Sequence, residues 1–137
     1  MTTNLTIIED SLRDIGVIAE IDSASAEQGA FCLRRLNQMM EVWKEDGVEM
    51  GYFAQTATTD TIPVPDWAEL GITAALAIAI APTYGASVSQ ELIAIADVAA
   101  GMILRKSLSE SLTPLDMRHL PRGAGNRYGR HHILTDS

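Results

Sequence analysis

Residues 72–81 read Ile-Thr-Ala-Ala-Leu-Ala-Ile-Ala-Ile-Ala, and this run is the strongest structural signal in the chain. Five of its ten residues are alanine, and Thr73 is its one polar residue. A helix that is apolar on nearly every side lies at the centre of a bundle or between subunits. The run is too short to span a bilayer, which takes about 20 apolar residues. It therefore predicts a helix that other helices cover.

The neighbouring residues set the predicted ends of this helix. Asp66 and Glu69 place negative charge where the helix dipole favours it, so the helix is predicted to begin at Asp66. Pro82 and Gly85 are predicted to end it after about Ala81, because proline lacks the amide hydrogen that a continuing helix needs.

The first amphipathic segment is predicted to form a helix from Thr3 to Gly16. Thr3 or Asn4 can accept a hydrogen bond from the free amides of the first turn, and Gly16 suits the left-handed C-cap position. Its apolar residues recur at helical spacing: Leu5, Ile8, Leu12 and Ile15.

The second segment is predicted to be a long helix from Ser25 to Asp46. Ser25 and Gln28 have the spacing of a capping box, and Gly47 follows its end. Its apolar stripe predicts a core-facing seam, so Trp43 is predicted to be core and Cys32 a small hydrophobe without a nucleophilic role. The stripe consists of Leu33, Leu36, Met40 and Trp43, widened by Phe31, Met39 and Val42.

Residues 47–65 connect the second helix to the central one. Their β-branched side chains permit a short strand or hairpin, while Pro63 and Pro65 favour an extended connection. Tyr52 and Phe53 either anchor this segment on the helices or face a neighbouring subunit.

The fourth predicted helix runs from about Ser87 to Ser109. Ser87 and Gln90 again fit a capping box, and Arg105 and Lys106 lie near the C-terminal end, where the dipole favours positive charge. Its predicted seam consists of Leu92, Ile95, Ala96, Ala99, Met102 and Ile103. Residues 110–137 contain Pro114, Pro121 and three glycines without apolar periodicity, and are predicted to be an extended arm.

Charge divides the chain into an acidic body and a basic arm. The 137 residues carry a net charge of −8; residues 1–104 hold 15 acidic and 4 basic side chains, and residues 105–137 hold 3 acidic and 6 basic ones. An acidic body repels nucleic acid and argues against a duplex-binding domain. The basic arm either contacts DNA or an acidic protein surface, or is a solvated tail.

No pattern in the sequence points to a catalytic, cofactor or metal site. Glu41 and Glu45 fit a solvated helix face, and the His131–His132 pair with His119 lacks the further ligands of a metal site. The glycines at 123, 125 and 129 are not preceded by a predicted strand or followed by a helix, so they are not a phosphate-binding loop. The single cysteine excludes an intrachain disulfide, and no signal-peptide pattern opens the chain. We therefore expect no catalytic residues and no cofactor.

Several stretches, in this order, resemble the head-to-tail adaptors of tailed bacteriophages, which are also called tail accessory factors or head-completion proteins. The similar stretches are Leu12–Val17, Leu36–Gly47 with Gly51-Tyr52-Phe53, Ile62–Asp66 leading to Ala77–Gly85 with its Ala-Pro-Thr-Tyr-Gly turn, and Leu120–Asn126 with its Pro-Arg-Gly-Ala-Gly-Asn element. The resemblance implies an all-α fold, a small four-helix domain at residues 1–109 with an extended C-terminal arm at 110–137.

The resemblance also implies a function at the head-tail junction of the virion, after synthesis in the host cytoplasm. Such adaptors form a ring, usually of twelve copies, under the portal protein. They extend the DNA channel, help to retain the packaged DNA, which passes without sequence-specific binding, and dock the next tail protein; no membrane is involved. The residues that the resemblance and the arm's composition assign to portal binding are Arg118, Pro121, Arg122, Gly123, Gly125, Asn126, Arg127 and Tyr128.

Three other interpretations remain open at this level. The chain could be another neck or tail-completion protein, or a wall-degrading hydrolase, which would need a carboxyl group of raised pKa in a cleft. It could also be a small DNA-binding protein that uses the basic arm, in which case binding would weaken steeply with salt.

Overall fold

A computed structural model describes residues 2–111 of the chain, and in that range the fold is all-α. The elements are α1 (Asn4–Asp14), α2 (Ala26–Glu45), a 3₁₀ turn (Asp66–Ala68), α3 (Glu69–Tyr84) and α4 (Gln90–Ser111). The predicted four-helix architecture is confirmed. Helix α4 continues to Ser111, so residues 110 and 111 are helical and the predicted end at Ser109 is two residues too early. The rest of the predicted arm lies outside the described residues from position 112 onward, so its conformation stays a prediction.

Helix α3 is the core of the bundle, as its composition predicts. It packs against α1, α2 and α4, while α1 and α2 also contact each other. Ile72, Leu76, Ala77 and Ile80 are fully buried. By length and composition alone, Asp66–Tyr84 would also suffice to cross a membrane. Its burial by three other helices accounts for its apolar character.

The end of α3 differs from the prediction. The helix continues through Pro82 to Tyr84 and ends at Gly85, whose φ of 63° is left-handed. Proline removes only one amide from the last turn. Carbonyl oxygens of the last turn are capped, since the Ala86 amide donates to Ala81 at 3.0 Å and the Gly85 amide to Pro82 at 3.3 Å. Gly85, which adopts positive φ without strain, therefore ends the helix.

The predicted N-caps of α1 and α2 are confirmed. The Thr3 hydroxyl accepts from the Thr6 amide at 3.2 Å. Ser25 and Gln28 form the predicted reciprocal capping box at the start of α2. Each cap satisfies a backbone donor that the first turn leaves without a helical partner.

Helix α4 begins later than predicted and buries a narrower face. Ser89, not Ser87, accepts from the Leu92 amide, so the helix starts at Gln90. Ile95 is 43% exposed, although it was predicted to lie in the seam. Among the helices, α4 packs closely only against α3, and a helix with one main partner buries one stripe. The buried stripe is Leu92, Ala96, Ala99, Ile103 and Ser107.

Gly71 sets the close contact between α3 and α4. A Cβ atom at this position would lie 2.6 Å from Cδ1 of Ile103 and 3.0 Å from Cβ of Ala99. Both distances are far shorter than a normal carbon–carbon contact. The absent side chain is therefore what lets the two helix backbones approach.

The connection between α2 and the 3₁₀ turn is extended, and the predicted alternative of a strand or hairpin does not form among the described residues. It lies across the N-terminus of α1, where the amides of Asn4 and Leu5 donate to the carbonyls of Asp60 at 2.9 Å and Thr58 at 2.8 Å. The pairing is limited to an isolated bridge between Thr3 and Thr61. The connection thus covers a helix end whose amides would otherwise lack partners.

Candidate assembly surface

The residues predicted to bind the portal all lie outside the described range, so the structure does not place them. This applies to Arg118, Pro121, Arg122, Gly123, Gly125, Asn126, Arg127 and Tyr128. What the structure does describe is the surface of the helical domain from which the arm departs.

Asn37 fixes the first half of the connection between α2 and α3. Its Nδ2 donates to the carbonyl of Gln55 at 2.8 Å, and its Oδ1 accepts from the Gln55 amide at 2.9 Å. The same Oδ1 accepts from the Tyr52 hydroxyl. Burial raises the pKa of Tyr52 to about 12, so the phenol stays protonated over the physiological range. Tyr52 therefore anchors the connection, one of its two predicted roles.

Asn4 and Gln55 extend this polar network into the core. Both side chains are buried, and Nδ2 of Asn4 donates to Oε1 of Gln55 at 3.0 Å and to the carbonyl of Ala57 at 2.9 Å. Sequence analysis missed this role, because Asn4 also fitted an N-cap. The signal available in the sequence was a side-chain amide, Asn4, on the same helix face as the apolar residues Ile7 and Ile8.

Ser107 ties the connection to α4. Its buried hydroxyl accepts from the Glu49 amide at 2.6 Å and donates to the Glu49 carbonyl at 3.0 Å. One side chain thus satisfies both backbone groups of a loop residue. The last turns of α4, from which the arm departs, are held against the body by this contact.

Trp43 lies at the edge of the core and not within it, which corrects the sequence prediction. It is half-buried and packs against the core, while its neighbour Val42 is 60% exposed. Trp43 lies in the last turn of α2, which ends at Glu45, and α2 packs mainly against α3 and α1. Trp43 lines an open groove of about 430 Å³ together with Asp46, Val48, Ala100, Ile103 and Leu104.

Aliphatic side chains are exposed on both flanks of α4. Leu104, on the flank of the groove, is 41% exposed, and Val98 on the other flank is 73% exposed. Phe53 is also 66% exposed, which fits the second role predicted for the Tyr52–Phe53 pair. Single exposed apolar residues are ordinary on a protein surface, so these side chains are candidates for contacts with other chains only where they lie next to one another.

Cys32 is buried and structural, as predicted. Its Sγ lies 4.0 Å from the hydroxyl of Tyr84, whose ring meets Phe31 edge to face at 5.8 Å. Burial raises the pKa of the Cys32 thiol, and its contact with Tyr84 opposes this only in part. A thiol with a raised pKa carries little thiolate and is a poor nucleophile.

A shallow groove beside α1 has three carboxylates among its lining residues. It is lined by Asp10, Asp14 and Glu69. Asp10 accepts from Arg13 at 3.0 Å, and Glu69 accepts from the Thr2 hydroxyl at 2.8 Å. Burial and the charge of Asp10 raise the pKa of Asp14, which nonetheless lies on the exposed end of α1. Two of the three carboxylates are thus held in structural contacts.

The described surface can support noncovalent assembly. Residues 2–111 carry 16 acidic and 6 basic side chains. Their exposed apolar side chains include Phe53, Val98 and Leu104. In this range, no three His, Cys, Asp or Glu side chains converge as metal ligands. The three histidines of the sequence lie beyond it.

Comparison with known proteins identifies the family. No curated protein sequence matches the chain. The sequence model of the P22 tail accessory factor family matches residues 1–134, which is nearly the whole chain. This agrees with the four-helix fold and with the resemblance noted in the sequence. The protein therefore belongs to the P22 tail accessory factor family and is a structural component of a bacteriophage tail.

Proposed function

We propose that this protein is a head-to-tail adaptor, which forms a ring under the portal protein at the head-tail junction. The ring extends the DNA channel, helps to retain the packaged genome and presents a docking surface to the next tail protein. Family membership over residues 1–134 supports a tail or neck component. The observation that carries the finer proposal is the pair of exposed aliphatic flanks on α4.

A closed ring needs two different surfaces on each subunit, because each copy contacts its neighbours head to tail. Ile93 and Val98 are exposed on different sides of α4, and neither lines the groove beside Trp43. The core of the domain is complete without them, since α3 is already covered by three helices. These parts of the two flanks, away from the groove, are therefore available to neighbouring copies.

The charge distribution suits a DNA channel. The acidic excess of residues 2–111 disfavours adhesion of DNA to the domain, so DNA can slide through a lumen formed by it. The basic arm is the part of the chain that suits an acidic surface on a partner. A segment that orders on binding can wrap a large surface, although part of the binding energy is spent on ordering.

Electron microscopy of the protein mixed with its portal tests the proposal. We expect a ring of added density below the portal, with the helical domains side by side and the arms along the portal. Density at another position in the tail, or no association with the portal at any ratio, would reject the adaptor assignment.

A further inference from the structure

The groove beside Trp43 is an apolar surface that no described element covers. Its walls are the C-terminal end of α2 and one flank of α4, contributed by Trp43, Val48, Ala100, Ile103 and Leu104. Leu104 is 41% exposed, and Trp43 is half-buried. An occupant that covers these side chains must offer apolar groups of its own.

The rim of the groove is acidic at Asp46, the one charged residue among the described residues that line it. Asp97 lies three residues before Ala100, so it occupies the same flank of α4. An occupant that complements this rim carries positive charge next to its apolar groups.

The chain that leaves α4 has this composition. Residues 112–118 read Leu-Thr-Pro-Leu-Asp-Met-Arg, so Leu115 and Met117 flank Asp116 and precede Arg118. In extended backbone, side chains alternate between two sides, so Leu115 and Met117 share one side and Asp116 faces the other. Pro114 disfavours helical backbone at the residue before it, so the helix has reason to end near Ser111. The segment therefore combines the apolar and basic groups that the groove requires.

The segment is also long enough to reach the groove. Leu104 lies seven residues before the end of α4 at Ser111, which is about 10 Å along a helix. Four extended residues span up to about 13 Å, so Leu115 reaches the level of Leu104 when the chain reverses directly after Ser111. A short tether of this kind gives an effective concentration of about millimolar or more.

We propose that residues 112–118 fold back along α4, so that Leu115 and Met117 occupy the groove and Arg118 lies at its acidic rim. The docked segment fixes the root of the arm against the helical domain. This docking does not depend on the portal, and it holds for the free chain whichever partner the arm binds.

Disulfide trapping in the full-length chain tests the docking. A Cys32→Ala background removes the native thiol, and Leu104→Cys with Leu115→Cys places one thiol on each side of the proposed contact. The matched control is Arg105→Cys with Leu115→Cys, because Arg105 neighbours Leu104 but does not line the groove. A disulfide requires the two Cα atoms to approach within about 7 Å.

We expect the Leu104–Leu115 pair to form an intramolecular disulfide at least about tenfold faster than the control pair, at a rate independent of protein concentration. Equal rates for the two pairs would overturn the proposal. Crosslinked dimers whose yield rises with concentration would also overturn it and would assign the groove to a second copy.

Tryptophan fluorescence gives a second measurement without new thiols. In a Trp67→Phe background, Trp43 is the only tryptophan. Leu115→Glu with Met117→Glu should move its emission to longer wavelength, since the acidic rim repels the new charges and water enters the groove. Thr135→Glu with Ser137→Glu adds the same charge farther along the arm as control. Identical emission from the two variants would contradict docking.

Discussion

Trp43 shows how an apolar stripe overstates burial at the end of a helix. Truncating a fully buried tryptophan to alanine costs about 3–5 kcal/mol. Because Trp43 is half-buried, we expect Trp43→Ala to lower the free energy of unfolding by about 2 kcal/mol. Urea denaturation measures this change. Val42→Ala, at the adjacent 60% exposed position, should change it by less than about 0.5 kcal/mol. Equal losses would show that Trp43 contributes no packing.

The half-buried phenols of Tyr52 and Tyr84 predict a loss of stability at high pH. Burial raises the pKa of Tyr52 and of Tyr84 to about 12 in the folded protein, from about 10 in the unfolded chain. A raised folded-state pKa gives a contribution that is fully present below about pH 10 and is lost as the pH rises through about 12.

Alkaline titration checks this prediction. The free energy of unfolding should fall between about pH 10 and about pH 12. Near-ultraviolet absorbance should show that these two tyrosines ionise at a higher pH than a free tyrosine does. Tyr52→Phe should be less stable at neutral pH, since the bond to Asn37 is lost, but should show a shallower alkaline decline. Titration of every tyrosine at the unperturbed pKa would refute the prediction.

At the scale of elements, Ser107 is the contact that joins α4 to the extended connection. Ser107→Ala leaves the amide and carbonyl of Glu49 without their side-chain partner in a partly buried position. Leaving buried polar groups unsatisfied costs about 1–3 kcal/mol. We expect this loss in chemical denaturation, whereas Ser109→Ala, at an exposed position of the same helix, should be neutral. An unchanged midpoint for Ser107→Ala would exclude the anchoring role.

The close contact between α3 and α4 depends on the absence of a side chain at Gly71. Gly71→Val inserts atoms where Ile103 and Ala99 already lie, and overpacking of this kind costs about 1–3 kcal/mol. Gly101→Ala is the matched control, because its Cβ would meet only the end of the Arg105 side chain, at 3.4 Å. Thermal unfolding should show a lower midpoint for the first variant alone. Comparable midpoints would mean that the helices can separate without loss.

At the scale of the whole molecule, the helical domain and the arm have different tasks under the proposed function. The Gly123-Ala124-Gly125-Asn126 element suits a docking turn, because two glycines permit backbone torsions or a close approach that a side chain forbids. Gly125→Val should therefore weaken portal binding and leave the melting temperature of the domain unchanged. Ala124→Ser is the mild control. Equal portal affinity for both variants and the parent would indicate a flexible spacer.

Most of the architecture was predictable from local patterns. The apolar run at 72–81 predicted the central helix, because a helix that is apolar on nearly every side is stable only where other parts of the protein cover it. The caps Thr3 and Ser25 were also predictable, since a cap involves atoms only a few residues apart. Family membership likewise follows from the order of residues along the chain, which matches over residues 1–134.

Contacts between distant residues were decided by the tertiary structure alone. The hydroxyl of Ser107 meets Glu49 across 58 positions, and the amide of Asn4 meets Gln55 across 51, so no local pattern encodes either pair. The exposure of Ile95 and Trp43 likewise depends on which helix faces them. Periodicity identifies an apolar face, but only packing determines how much of that face a partner covers. The uncovered remainder forms the groove proposed for residues 112–118 and the flanks proposed for assembly.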